Sequence, residues 1–147
     1  MKTAGFTLLE LLTCLALAGV LAMIAMPAYT GAVNRGRVAS AVADIASLSL
    51  EVERYHTDHS AYPETLSDLG VTVPQDPWGR DYRYYNIAAH GRGHARKDHA
   101  LNPINRDFDL YSVGANGETH TQISQRVSLD DVIRGRDSSF VGLAADF

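Results

Sequence analysis

The sequence predicts an α+β fold. One long N-terminal helix, membrane-spanning in its first half and amphipathic in its second, packs on a small antiparallel sheet with a C-terminal loop. Three observations predict it. Residues 11–34 carry no charge, a run of 24 residues that as a helix measures about 36 Å at about 1.5 Å per residue and so spans a hydrocarbon core of about 30 Å. Beyond it Val38, Val42, Ile45, Leu48, Val52 and Tyr55 recur at threes and fours, the spacing of a single helical stripe. Two aromatic and aliphatic runs, Tyr82-Arg83-Tyr84-Tyr85 and Asp109-Leu110-Tyr111-Ser112-Val113, are bounded by turn residues, as strands are.

Each element has its own justification. Arg35, Arg37, Asp44, Glu51, Glu53 and Arg54 fall between the positions of the apolar stripe, as they do when one face packs on a domain and the rest meets solvent. Pro27 lacks an N–H for the helical ladder, and Gly31 and Gly36 weaken it further. Propensity alone leaves two outcomes open there, one kinked helix or a helix ending near Pro27 with a second beginning after it. Residues 60–77, punctuated by Tyr62-Pro63, Leu69-Gly70, Val73-Pro74 and Asp76-Pro77, read as a connector with room for one helical turn over residues 64–69. Asp76-Pro77-Trp78-Gly79 and Gly114-Ala115-Asn116-Gly117 have turn chemistry. A sheet of about two to four strands should cover the amphipathic stripe.

Composition sets the outer limits. At 147 residues the chain is too short for two ordinary domains. Its 13 Lys and Arg against 17 Asp and Glu give a net charge of −4, so no global basic field exists to hold nucleic acid. The single cysteine, Cys14, excludes an internal disulfide and a Cys-based zinc site. His90, His94 and His99 lie among Gly91, Gly93 and Arg92 in a stretch that reads as a solvated basic loop rather than a preorganised metal site. Arg92, Arg96 and Lys97 of that loop offer cations to phosphate, but residues 60–147 hold 9 basic and 12 acidic residues, a net of −3, against the footprint nucleic-acid binding requires. No catalytic constellation is found. Ser112 has no identifiable base, and Asp107 and Asp109 alternate along a strand in the way residues solvating its outer face do.

One carboxylate, Glu10, interrupts the start of the apolar run. An acidic residue at the membrane centre costs about 2.5 to 3.5 kcal/mol and less near the edge, which argues against an ordinary secretory signal cut after Ala16-Leu17-Ala18. A residue held at such cost has a partner, or else snorkels to the headgroups.

The segment Gly5-Phe6-Thr7-Leu8-Leu9-Glu10, preceded by Lys2 and followed by the apolar run, resembles the class III signal of type IV pilins and type II secretion pseudopilins. With Tyr62-Pro63, Asp76-Pro77-Trp78-Gly79, Tyr82, Asp109-Leu110-Tyr111-Ser112 and Gly114-Ala115-Asn116-Gly117, it resembles the major pseudopilins of type II secretion in particular. The resemblance implies a pilin-like fold with a leader at 1–5, a transmembrane and polymerisation helix at 6–34 and a periplasmic globular domain at 35–147. It implies that prepilin peptidase cuts after Gly5 and methylates the Phe6 amine. Glu10, the fifth residue of the mature chain, would then pair with the Phe6 amine of a neighbouring subunit.

The implied partners are further copies of the chain, other pseudopilins, an inner-membrane assembly platform and, before assembly, membrane lipid. A type IV or DNA-uptake pilin is the alternative. Charge counting does not set the orientation, since Lys2 faces Arg35 and Arg37 across the span. The resemblance puts the leader in the cytoplasm and the domain outside, assembled into a periplasmic fibre.

The same resemblance implies calcium in the C-terminal loop, with Val113 offering a carbonyl, Asn116 in the acidic turn position, and Asp130 and Asp131 as candidates for the later carboxylates. Asn116 departs from the family's aspartate. Calcium accepts amide oxygens, but one negative charge is lost. The polar stretch 118–128 and the tail 140–147 are further departures, and Asp130-Asp131 reads alternatively as a charge pair at a helix start before Val132-Ile133.

Overall fold

The computed structural model describes Gly5 and residues 7–147; Phe6 lies outside the described residues. The chain divides into two compact units, Met1–Gly36 and Arg37–Phe147.

A single helix, α1 (Leu8–His59), runs for 52 residues with Pro27 inside it. The outcome in which the helix ends near Pro27 is therefore overturned. The missing Pro27 N–H removes one rung of the ladder, and the Thr30 hydroxyl donates to the Pro27 carbonyl at 3.1 Å. In the first unit α1 is apolar on every side: Leu9, Leu15, Leu21, Ile24 and Met26 are all largely exposed. It is long and apolar enough to cross a membrane. Such a helix suits lipid because its backbone groups bond within the segment and its whole circumference meets hydrocarbon.

In the second unit α1 buries one stripe, Ala41, Ile45, Leu48, Ser49 and Val52. The expected Ile45, Leu48 and Val52 are at its centre, while Val38 and Val42 pack only partly buried against the core. Ala41 and Ser49 fill the remaining stripe positions. The Ser49 hydroxyl is satisfied within the helix by the Ile45 carbonyl at 2.7 Å.

The stripe is covered by a four-stranded antiparallel sheet of β1 (Arg83–Asn86), β2 (Phe108–Ser112), β3 (Val132–Gly135) and β4 (Phe140–Leu143), ordered as in the sequence. Tyr84 pairs with Leu110, Tyr111 with Ile133, and Val132 with Leu143. Phe108, Leu110 and Val132 meet the helix stripe, together with Leu66 and Tyr82. The other sheet face carries a smaller cluster of Ile104, Ile123, Ile133 and Ala144, with Phe140 and Phe147 against it. Val132-Ile133 is strand and not helix, which removes the helix-start reading of Asp130-Asp131.

Connections carry the turns the sequence anticipates. A short 3₁₀ turn, Leu66–Leu69, closes on Gly70 in the left-handed region at φ 66°. Asp76 holds its turn by accepting from the Trp78 and Arg80 N–H groups at 3.0 and 2.9 Å and from the Ser112 hydroxyl at 2.6 Å. Asn86 caps the four-residue helix α2 (Ile87–His90) and donates to the Tyr62 and Pro63 carbonyls. The Tyr82 hydroxyl reaches Asp44 on α1 at 2.7 Å; burial first, then that bond, pushes the phenol well above its ordinary range.

Ile45→Ala should destabilise the protein by about 2–5 kcal/mol, read as a lowered midpoint in denaturant unfolding of the full chain in detergent. Leu50→Ala, on the exposed face of the same helix, should stay within about 0.5 kcal/mol of wild type.

Candidate functional site

The first candidate region is the start of α1. Gly5 is exposed and precedes the helix. Thr7 occupies the N-cap position: its hydroxyl accepts from the Glu10 N–H at 3.2 Å, and the Glu10 carboxylate accepts from the Thr7 N–H and hydroxyl at 3.2 Å each. This reciprocal pair is a capping box, which satisfies donors that the first turn of any helix leaves free. Glu10 thus has a role within its own subunit that the sequence reading did not assign. It is nonetheless exposed, so its carboxylate stays accessible to a cation from a neighbour.

The second is the loop after β2. Gly114 and Gly117 take φ of +66° and +75°. A Cβ on Gly114 would lie 2.2 Å from the Asp130 carbonyl oxygen, so only glycine admits the close approach of the two segments. The Arg80 guanidinium donates to the carbonyls of Gly114 and Ala115 at 2.6 and 3.1 Å. Asn116 donates through its backbone N–H to one Asp130 carboxylate oxygen at 2.9 Å and through Nδ2 to the other at 2.6 Å. Nδ2 also donates to the Val127 carbonyl at 2.8 Å, while Oδ1 accepts from the Glu118 N–H at 2.7 Å. Val113 is buried just ahead of the turn.

Of the two aspartates offered for the loop, the structure brings Asp130 to Asn116 and sends Asp131 elsewhere. Asp131 is fully buried, and its carboxylate accepts from Arg96 at 2.5 Å and from the Thr119 hydroxyl at 2.6 Å. Arg96 also bonds Thr119 and lies over the Tyr111 ring at 4.3 Å. Burial raises the Asp131 pKa despite these donors. Among the described residues no group of three or more His, Cys, Asp or Glu is placed to hold a metal ion. Of the oxygens offered as calcium ligands, those of Asn116 and Asp130 and one of Asp131 accept from the chain's own donors, so Asn116 and Asp130 as arranged here serve each other rather than an ion.

Two further expectations need correction. The stretch 90–97 is not a wholly solvated loop, since Ala95 and Arg96 are buried in it. Asp107 and Asp109 do not solvate an outer strand face. Asp109 is buried and accepts from the Arg96 N–H at 2.6 Å and the Asn105 amide at 2.9 Å. Asp107 holds the buried Arg134 through two bonds of 2.8 and 2.6 Å. Arg134 also donates to the Phe108 carbonyl at 2.8 Å, lies 3.8 Å over the Phe108 ring and comes within 3.5 Å of Glu53 on α1. Burial works against the Asp107 charge, but the Arg134 and backbone donors prevail and lower its pKa.

Residues 1–26 match the family described as prokaryotic N-terminal methylation motif. Residues 27–118 match the family described as type IV minor pilin ComP, DNA uptake sequence receptor. The chain is 32% identical over 112 residues to type II secretion system core protein G of Dickeya chrysanthemi, covering 62% of this chain and 73% of that protein. The chain belongs to the core protein G family of type II secretion, within the type IV pilin-like superfamily. The same-named protein of Escherichia coli strain K12 is 32% identical over 111 residues, covering 61% of this pseudopilin and 77% of its relative. That of Vibrio cholerae is 32% identical over 103 residues, covering 56% and 70%. No solved structure matches. With its apolar helix and methylation motif, this pseudopilin is a membrane-anchored protein.

Burial raises the Asp109 pKa to about 6, outweighing the Arg96 and Asn105 donors that favour the charged form. A carboxyl that holds its proton more tightly when folded contributes stability that is complete below about pH 4 and is lost as pH rises through about 6. The unfolding free energy of wild type should therefore fall relative to that of Asp109→Asn between pH about 4 and 6. Parallel pH profiles of the two proteins would contradict this.

Proposed function

We propose that the protein is a structural subunit of a type II secretion pseudopilus. In this reading prepilin peptidase cuts after Gly5 and methylates the Phe6 amine. One membrane pass then holds the chain in the inner membrane with residues 35–147 in the periplasm. Copies join one another and other pseudopilins on an inner-membrane platform, forming a short periplasmic fibre that supports protein export. The observation that carries the reading is a helix apolar around its whole circumference, entered by a single exposed carboxylate, Glu10.

Leaving lipid for a bundle of like helices gains little hydrophobic energy. Cohesion comes from packing and from polar groups satisfied between helices. A carboxylate inside that bundle is costly alone and much less so opposite a cation, which is what a methylated Phe6 amine of the adjoining subunit supplies.

The match to a family named for a DNA uptake sequence receptor raises the second reading, a DNA-uptake pilin. It draws less support. Of the three cations grouped at residues 92–97, Arg96 is buried against Asp131, and residues 60–147 carry a net charge of −3. Relatives at about a third identity are named for secretion instead.

Mass spectrometry of the N-terminal peptide from native membranes should find N-methylated Phe6. A peptide starting at Gly19 would mean an ordinary secreted domain. Glu10→Gln retains the side-chain type that a capping box accepts while removing the charge. It should be processed normally yet yield roughly tenfold less fibre or lower still. If Glu10→Gln assembles like wild type while Glu10→Ala does not, the carboxylate serves the cap and the pairing role is wrong. Deletion should leave exported enzymes in the periplasm, whereas loss of transformation with normal export would favour DNA uptake.

A further inference from the structure

The loop after β2 contains every kind of oxygen a calcium ion would seek, namely the carbonyls of Gly114, Ala115 and Val127 and the carboxylates of Asp130 and Asp131. Each of these groups accepts from nitrogen on this chain, although one oxygen of Asp131 accepts from none. Arg80 covers the carbonyls of Gly114 and Ala115. The Asn116 amide nitrogen bridges the Val127 carbonyl and the Asp130 carboxylate. The Arg96 guanidinium neutralises Asp131. We infer that this subunit closes its C-terminal loop with its own nitrogen donors in place of a divalent cation, and that Asn116 is the residue that makes the substitution possible.

The amide orientation at Asn116 supports this. Oδ1 accepts from the Glu118 N–H at 2.7 Å while Nδ2 donates to two oxygens. Turning the amide over would point an oxygen at a carbonyl and a carboxylate and a nitrogen at an N–H, leaving all three contacts repulsive. The observed orientation is therefore the one the loop demands without an ion. An aspartate at the same position could accept from Glu118 equally well, but its second oxygen would then face the Asp130 carboxylate and the Val127 carbonyl across a hydrogen-bond distance. A cation between them would relieve that repulsion without either carboxylate taking up a proton. One atom, nitrogen instead of oxygen at the end of residue 116, decides whether the loop needs a metal.

The second aspartate agrees. A carboxylate as buried as Asp131 requires a compensating charge, and Arg96 supplies it from residues 90–97. One oxygen of Asp131 and the Nε of Arg96 are both left without partners. The pair is joined instead through Nη2 and the other Asp131 oxygen, at 2.5 Å.

The test uses the full chain in detergent, prepared with calcium and then measured by thermal unfolding in CaCl2 or in EGTA. Wild type should melt at the same temperature in both. A fall of about 5 °C or more in EGTA would show a structural ion and overturn the inference. Asn116→Asp should melt lower than wild type in EGTA and recover with CaCl2 but not with NaCl at equal ionic strength. If Asn116→Asp melts at one temperature in both solutions, the amide does not stand in a cation's place and the inference fails. If the variant folds only when calcium is present throughout its preparation, the inference holds in its strongest form. The wild-type comparison decides independently of how well the variant folds, and none of these outcomes bears on whether the subunit serves secretion or DNA uptake.

Discussion

One helix has to satisfy two surroundings, and the rest of the molecule follows from that. Over its first unit α1 turns apolar side chains outward in every direction, which is the only arrangement a lipid or a bundle of like helices tolerates. From Arg37 onward the same helix carries one apolar stripe and a charged remainder. The stripe cannot face water, so a sheet covers it. Phe108, Leu110 and Val132 are the cover, and the polar bonds from Tyr82 to Asp44 and from Arg134 towards Glu53 fix where along the helix that cover rests.

The head is small, and it uses buried charge where a larger protein would use more hydrocarbon. Arg134 and Arg96 are both almost wholly withdrawn from solvent, each against a carboxylate and each over an aromatic ring. Buried ion pairs of this kind contribute little net stability compared with a well-packed apolar equivalent. Their effect here is geometric: Arg134 ties β3 to the start of β2 and to α1, and Arg96 ties the 90–97 segment to Asp131, just ahead of β3. The tail beyond β3 supplies β4 and places Phe147 against Gly135 and Phe140.

Much of this was legible in the residues. The uncharged run, the stripe of Ile45, Leu48 and Val52, the connector and its single turn, and the strands around Tyr84 and Leu110 all come from local periodicity and turn chemistry. The leader motif was legible because its residues are contiguous. The capping partnership of Thr7 and Glu10 also had a signal, the threonine-to-glutamate spacing ahead of an apolar run.

What misled the sequence reading was charge. Arg96 looks like one more cation in a glycine-rich loop, and Asp107 and Asp109 look like the outer face of a strand. Arg96 and Asp109 are buried and Asp107 is partly so because Asp131, the Arg96 N–H and Arg134 respectively reach them from distant parts of the chain. Periodicity reports which side of an element is apolar, and it is silent on whether a polar side chain will find its counter-charge.

The sequence by itself determined that an uncharged apolar run is followed by an amphipathic helical stripe, that a small antiparallel sheet comes after them, and that the chain opens on a methylation motif. Only the tertiary structure decided that α1 passes Pro27 unbroken, that Asp130 and not Asp131 meets Asn116, and that the oxygens of the loop are answered by nitrogen. The reason is range. Helical and strand patterns are written within a few residues, whereas the desolvation of a charge is settled by groups as far apart as Arg96 and Asp131, which only folding brings within 2.5 Å.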